Sequence, residues 1–358
     1  MCVKLTKIPL NENYRDSESI NEYFEKWEES NVIKKYKHHG WLIFIFLLSF
    51  LVSGCSSAAS GEKTASSSKE SKVINIGYQK FGTLNILKAK GTLDKDLKSL
   101  GYTVKWTEFP GGPQLLEALN VGSLDFGHTG EAPPIFAQAA GAPLVYYANA
   151  TANPKGEAII VPKDSPIKSL QDLKGKKIAL NKGSNVHYLL VKALEKAGIS
   201  YSDIKTTFLP PADARAAFEK EDVDAWVIWD PFLADAQLAT KARVLADGEG
   251  LVSNREFFLA TSKFAKEHPK VLDVIFKDLE KTDKWVEENP KEAAKFLAPQ
   301  IGMSVDALEL TLNRRTYGLE KMSEQTAKDQ QQIADAFYKL KLIPEDIEVQ
   351  EALLKTNN

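Results

Sequence analysis

One pattern occurs twice in this chain, and it limits the fold more than any other feature. "IGYQK" at 76–80 has a counterpart in "IALNK" at 178–182, each a strand end, a polar amide and a lysine. "ALNVGSLDFGHTGE" from Ala118 parallels "AFEKEDVDAWVIWD" from Ala217. Both run A-[L/F]-x-x-x-x-[L/V]-D, a helix end leading into a buried strand. The offsets are 102 and 99 residues, so two matched pairs in the same order point to two related lobes. Around them, short apolar runs alternate with stretches of helical spacing. "VINIGY" (73–78), "TVKWTEF" (103–109), "SLDFG" (123–127) and "LVYYANA" (144–150) read as strands. Asn85–Leu100 and Pro113–Val121 read as helices, with Leu115, Leu116 and Leu119 on one face. This alternation predicts an α/β fold with helices on both faces of its sheets.

Two α/β lobes enclose a cleft, and ligands of open α/β sheets bind beyond the carboxyl ends of the strands. The loops that matter are therefore Gln79–Thr83, Thr129–Glu131, Lys182–His187 and Trp229–Pro231. Three helices are expected to begin near the cleft, at "PGGPQLLEALN", "HTGEAPPIFAQAA" and "NKGSNVHYLLVKAL". Pro113 is expected at about the first helical position. Helix N-termini offer unpaired N–H groups and partial positive charge, a setting for an anion. Glycines allow close backbone approach, and Gln114, Thr129, Ser184 and Asn185 add side-chain donors. In "DAWVIWDPF", strand alternation separates Trp226, expected in the core, from Trp229, expected to line a pocket beside an alkyl chain. Glu131 and Asp230 hold matching places in the repeat. Either can repel the wrong anion, bind a ligand amine or bridge the lobes.

Composition narrows the function from the other side. The formal net charge is −2, which gives no electrostatic footprint for nucleic acid. Two cysteines make no disulfide framework, and the five histidines have no zinc-ligand spacing, so no metal is expected. The chain has no G-x-S-x-G elbow, no P-loop and no G-x-G-x-x-G after a strand. No cofactor and no catalytic apparatus are expected; binding is the favoured class.

Near the N-terminus, Lys34, Lys35 and Lys37 precede Trp41–Ser53, thirteen residues without a charge. A membrane span needs about 20 apolar residues, whereas a basic stretch, an apolar run and small residues describe a secretory signal peptide. Val52-Ser53-Gly54-Cys55 matches the bacterial lipobox, so Cys55 is expected to carry a diacylglycerol and to become the new N-terminus. Buried acyl chains add about 0.8 kcal/mol per methylene, and two chains anchor stably. Residues 1–31, with four basic and seven acidic side chains, fit this scheme poorly. A start near Val32 gives a compact basic region instead. Glu62–Lys72 reads as a flexible tether. Further on, amphipathic helices punctuated by Pro269, Pro290 and Pro299 are interrupted by Arg314-Arg315. One of these arginines can reach the cleft and pair an anion bidentately, or both can be solvated. Phe337, Leu340 and Leu342 are expected to pack the last helix.

The stretches "IGYQKFGTL", "EFPGGPQLLEALNVGSLDFGHTGEAPPIFAQAAGAPLVY", "SPIKSLQDLKGKKIALNKGSNVHYLL", "PADARAAF" and "VDAWVIWDPF" carry a family resemblance. Over about residues 74–343 the chain resembles the aliphatic sulfonate-binding lipoproteins of ABC importers, within the nitrate/sulfonate/taurine-type group. The resemblance implies a two-lobed periplasmic-binding-protein fold of the second type, with the ligand cleft between the lobes. Lobe I is expected over 72–160 and 255–350, and lobe II over 161–254. Residues 1–54 form the upstream extension and signal peptide, 55–71 the tether, and 351–358 a tail. Carried over by motif, the ligand-binding residues are Gln79, Gly112, Pro113, Gln114, Thr129, Gly130, Ser184, Asn185, Trp229 and Arg315. The run "NRRTYG" around Arg315, and also His128 and Asn185, depart from the family's pattern. The implied role is capture of an alkanesulfonate for sulfur acquisition, as a monomer on the outer face of the cytoplasmic membrane. Delivery is to a permease and its ATPase. Taurine, nitrate or a thiamine-precursor pyrimidine are the alternative ligands on the same fold.

Overall fold

The computed structural model describes residues 72–80 and 82–354. Cys55 and the apolar run before it lie outside these residues. Among the described residues there are two sheets. The larger contains β1 (Lys72–Gln79), β2 (Tyr102–Phe109), β3 (Phe126–Gly130), β4 (Leu144–Ala150), β10 (Glu256–Thr261) and β11 (Leu319–Lys321). Its order is β11-β4-β10-β3-β1-β2. The smaller contains β5 (Glu157–Val161), β6 (Lys177–Leu180), β7 (Lys205–Phe208), β8 (Ala225–Trp229) and β9 (Arg243–Asp247), in the order β7-β6-β8-β5-β9.

Without β11 the two sheets share one plan. A parallel trio, β2-β1-β3 or β7-β6-β8, is followed by an antiparallel strand, β10 or β5, and then by β4 or β9. Ile76 pairs with Phe126 and Ile178 with Ala225, displaced by the same 102 and 99 residues as the sequence repeat. The aspartate that closes each copy of the motif has one task. Asp125 accepts the Asn75 backbone N–H at 2.7 Å, and Asp224 accepts the Lys177 N–H at 2.7 Å. Each aspartate returns its own N–H to the same residue's carbonyl at 2.8 Å. Such charge-assisted bonds clamp the incoming connection to the strand that comes first in the chain within each parallel trio, β1 or β6.

The helices follow the predicted pattern with local changes. The stretch read as one helix is two, α1 (Thr83–Lys90) and α2 (Thr92–Ser99). Gly91, at φ 65°, ends α1 in a left-handed cap that a residue with a Cβ adopts only at a cost. Next, α3 (Gly112–Asn120) buries Leu115, Leu116 and Leu119 as expected, although Pro113 is its second residue rather than its first. β3 begins at Phe126, three residues later than its sequence suggests. The Ser123 N–H closes a turn onto the Ala118 carbonyl and holds 121–125 out of the sheet. α4 (Pro133–Ala139) follows β3 in the first copy of the repeat, and the second copy carries α5 (Asn185–Ala197), α6 (Pro211–Glu219) and α7 (Phe232–Thr240). The C-terminal region adds α8 (Ser262–Glu267), α9 (Pro269–Glu288), α10 (Pro290–Ile301), α11 (Val305–Arg314) and α12 (Glu324–Lys339). None of the described helices is long and apolar enough to cross a membrane.

Trp226 is fully buried in the core, as alternation predicts, and a buried side chain of that size contributes more than the roughly 1.5–3 kcal/mol of a leucine. Phe337 of α12, also fully buried, meets Phe136 of α4 at 4.9 Å and His187 and Tyr188 of α5, so one aromatic cluster joins both halves. Two boundaries differ from the sequence reading. β5 pairs within the smaller sheet from Glu157, so the chain leaves the first sheet after Ala150 rather than at 160. Past residue 350, where a tail was expected, Ala352 is buried and Leu353 bridges to Tyr146. The two crossings, 151–156 and 248–255, are tied together. Asn153 N–H donates to the Ser253 carbonyl at 3.0 Å, Gly248 N–H to Pro154 at 3.0 Å, and the Asn254 amide to Asn153 at 2.8 Å.

Candidate functional site

The carboxyl ends of β1, β3 and β8 and the start of α5 converge on a cavity of about 100 Å³ between the two sheets. Gln79, Thr129, Gly130, Asn185, Trp229 and Arg315 line it, so six of the ten expected residues meet there. The others do not. Pro113 and Gln114 line a separate cavity beside it. Ser184 is buried with its hydroxyl donated to the Asn181 carbonyl at 2.7 Å. Gly112 packs where a Cβ would fall 2.7 Å from Pro133, so its role is close packing of α3 against α4. Of the three expected helix N-termini, only that of α5 supplies the cavity wall, through Asn185. The N-terminal cap of α1 joins it at Gly82.

Gly82 is at φ 130°, and a Cβ there would lie 2.7 Å from the His128 ring. That closeness lets His128 sit under the β1 end. The Gln79 backbone N–H donates to its Nε2 at 3.2 Å, so Nδ1 carries the proton, which it gives to Glu256. The Gln79 side chain donates to the His128 carbonyl at 3.0 Å. Glu256 also accepts from Arg315 at 2.9 Å, and Arg315 donates to Thr83 at 3.0 Å with Asp283 4.0 Å away. Burial works against the Glu256 charge, but His128 and Arg315 outweigh it and hold the carboxyl down at about 2. Arg315 therefore faces the cavity with its charge matched from within.

Arg314, its neighbour, is no solvated residue: it pairs with Asp230 at 3.3 Å and donates to Gln237 at 2.7 Å. Asp230 thus joins β8 to the end of α11. Burial pushes its carboxyl up to about 6, against the pull of Arg314 and the Ala234 N–H. Glu131, its counterpart in the repeat, is off the cavity wall, buried, and accepts the Arg255 backbone N–H at 3.1 Å. Burial raises it to about 7. Beside it, Glu157 is raised well above the usual range by burial and by Glu131, while it accepts from Asn185.

The sequence reading missed the crossings. Thr151, Asn153, Asn254, Arg255 and Glu256 all line the cavity, and their signal was positional, at the lobe boundaries. Arg255 matters most. Among the described residues it forms no ion pair within 4 Å, its Nη1 donates to the Ala150 carbonyl at 3.3 Å, and its buried Nε has no acceptor. Thr151 Oγ1 and Asn153 Oδ1 are likewise buried without partners among the described residues. A buried donor without an acceptor costs roughly 1–3 kcal/mol, so Arg255 Nε and the Thr151 hydroxyl suit something that accepts hydrogen bonds, whereas Asn153 Oδ1, an amide oxygen, can only accept.

Residues 99–293 match the family described as NMT1/THI5 like. A protein of Escherichia coli (strain K12) named for binding aliphatic sulfonates is 39% identical over 308 residues, 86% of this chain and 96% of that one. Among solved structures, the alkanesulfonate-binding protein SsuA from Xanthomonas axonopodis pv. citri, bound to MOPS, superposes with TM-score 0.77. It is 41% identical and covers 80% of this chain and 99% of its own. The periplasmic aliphatic sulphonate binding protein SsuA from Escherichia coli gives TM-score 0.73 at 39% identity, covering 80% of this chain and 93% of its own. These matches span both sheets and fix the architecture as the two-lobed periplasmic-binding-protein fold. The chain belongs to the NMT1/THI5-like family, together with the aliphatic sulfonate-binding proteins.

Proposed function

We propose that this protein captures aliphatic sulfonates in the cavity between its lobes and delivers them to an ABC permease and its ATPase for sulfur acquisition. The carrying observation is the cavity wall around Arg255, a half-buried arginine whose buried Nε is an unfilled donor, in a chain 39% identical to a sulfonate-binding relative. A sulfonate stays ionised at any biological pH, so it accepts hydrogen bonds and never donates one. Arg255 supplies the charge, while Thr129, Thr151 and the Asn185 end of α5 surround the remaining oxygens. Gly130 lets the two lobes meet at Asn185, and Trp229 covers the first carbons. Pairing by Arg255 avoids the cost of a buried lone charge. Arg315, neutralised by Glu256, shapes the wall rather than adding net charge.

Lobe I takes residues 72–150 and 256–354, lobe II 157–247, with 151–156 and 248–255 as the hinge. Binding without chemical conversion fits the cavity, because its histidine is already committed to Gln79 and Glu256. The protein works as a monomer outside the cytoplasmic membrane, held there by a lipid on Cys55. Calorimetric titration of the purified protein with ethanesulfonate tests the ligand. Binding should add about 2.7 kcal/mol of stability at a hundredfold excess over the dissociation constant. A response to nitrate or taurine with none to alkanesulfonates would replace the ligand. Cys55→Ser should move the protein from the membrane to the soluble fraction; unchanged fractionation would remove the anchor.

A further inference from the structure

Two buried carboxyls face each other from opposite lobes. Glu131 follows β3 and is 2% exposed; Glu157 opens β5 and is 0% exposed. Each has one oxygen occupied. Glu131 accepts the Arg255 backbone N–H at 3.1 Å, and Glu157 accepts from the Asn185 amide. The other oxygen of each, Oε1, is buried without a hydrogen-bond partner among the described residues. The contact between the lobes runs beside them. A Cβ on Gly130, next to Glu131, would fall 2.8 Å from Asn185, and Asn185 also donates to Asn254, next to Arg255, at 3.0 Å. A carboxylate oxygen can only accept, so two of them left empty in a dry place lack a hydrogen. A proton on either carboxyl supplies it.

We propose that closing the lobes on a ligand takes up a proton, held by the Glu131–Glu157 pair, so that affinity for a sulfonate falls as pH rises. This deepens the proposed capture by the two lobes and rests on it. Parting of the lobes carries Glu157 away from Glu131 and lets water in beside Asn185. Burial and the Glu131 charge are what raise Glu157, against the pull of the Asn185 amide, so opening returns it toward its ordinary 4.5. Glu131 stays within its own lobe. There burial raises it, Arg255 pulls it down and Asp329 of α12 pushes it up. Tyr188 and Tyr146, also near it, are kept neutral by burial. A sulfonate drawn to Arg255 adds a further negative charge near the pair and favours the proton more. Because the closed form holds the raised carboxyl, affinity is greatest in acid and is lost as pH rises above about 4.5. A separate cavity of about 310 Å³, lined by Glu131, Tyr188, Arg255 and Asp329, gives the proton a path that does not run past the ligand.

Calorimetric titration with ethanesulfonate at pH 7, in buffers of different ionisation enthalpy, counts the protons exchanged. The ligand does not titrate, so any uptake belongs to the protein. The parent should take up about one proton at most, and its affinity should fall by up to about tenfold per pH unit across pH 6 to 8. Glu157→Gln, whose amide oxygen still accepts from Asn185, should bind with no uptake and with a flat pH profile. Glu131→Gln should reduce the uptake, and it carries the same test if the first variant fails to fold. Uptake unchanged in both variants would overturn the proposal and move the proton to another group of the cavity, His128 or Asp230. Binding by the parent with no uptake and no pH dependence would overturn it and leave the sulfonate reading standing. If no sulfonate binds at any pH, that reading falls and this inference with it.

Discussion

Gly130→Ala isolates a contact between the two lobes at the wall of the cavity. A methyl group at 130 would stand 2.8 Å from Cβ, Cγ and Oδ1 of Asn185. Asn185 has no room to withdraw, because its amide donates to Glu157 and, at 3.0 Å, to Asn254. Overpacking of this kind costs about 1–3 kcal/mol. The cost falls only on the form in which the lobes touch, since residue 130 belongs to one lobe and Asn185 to the other. Affinity for a sulfonate should therefore drop by about 5- to 150-fold. Ligand-free stability in urea should change far less if the free protein opens. Titration calorimetry measures the first, urea unfolding the second, and small-angle scattering shows whether ligand still compacts the molecule. Affinity within twofold of the parent would refute the argument, because the bound form would then lack this contact.

Three further outcomes are expected. Glu131→Gln should remove a pH dependence: the folded carboxyl titrates near 7, so stability falls as pH rises from about 4.5 to 7, where only the folded state holds the proton. The variant should match the parent at pH 4 and exceed it by about 3 kcal/mol at pH 8 in urea unfolding, less whatever Glu157 takes up. Arg315→Met leaves the Glu256 carboxylate buried with His128 alone and should cost about 3–5 kcal/mol. Adding Glu256→Gln should recover much of that loss, as read by thermal melting at neutral pH. Trp229→Ala should weaken sulfonate binding by at least about tenfold while moving the melting temperature little, because the ring is half-buried.

The repeat was legible because period-two strands and their closing aspartates leave a local imprint. Asp125 and Asp224 act on backbone groups one strand away, so their chemistry survives in the motif itself. Gln79, Thr129 and Trp229 line the cavity for the same reason they stood out in the sequence: a strand's end announces the loop that follows it. Arg255 and Asn254 were not, since they occupy a crossing with no periodicity, and only the pairing of β5 and β10 shows where that crossing runs. Ser184 looked like a ligand donor by type. Its hydroxyl instead closes the turn before α5, a local hydrogen bond that serine's short side chain always has on offer.

Asn254 carries a consequence for signalling. Its amide nitrogen holds the Asn153 carbonyl of one crossing, and its oxygen receives the amide of Asn185 on the cavity wall. In the proposed hinge, the crossing and the cavity wall thus form a single hydrogen-bonded unit two links long. A solute that displaces Asn185 changes the torque at the axis directly, with no relay through the cores of the lobes. What a membrane partner would read is then the angle of a door whose handle is fastened to its own hinge pin.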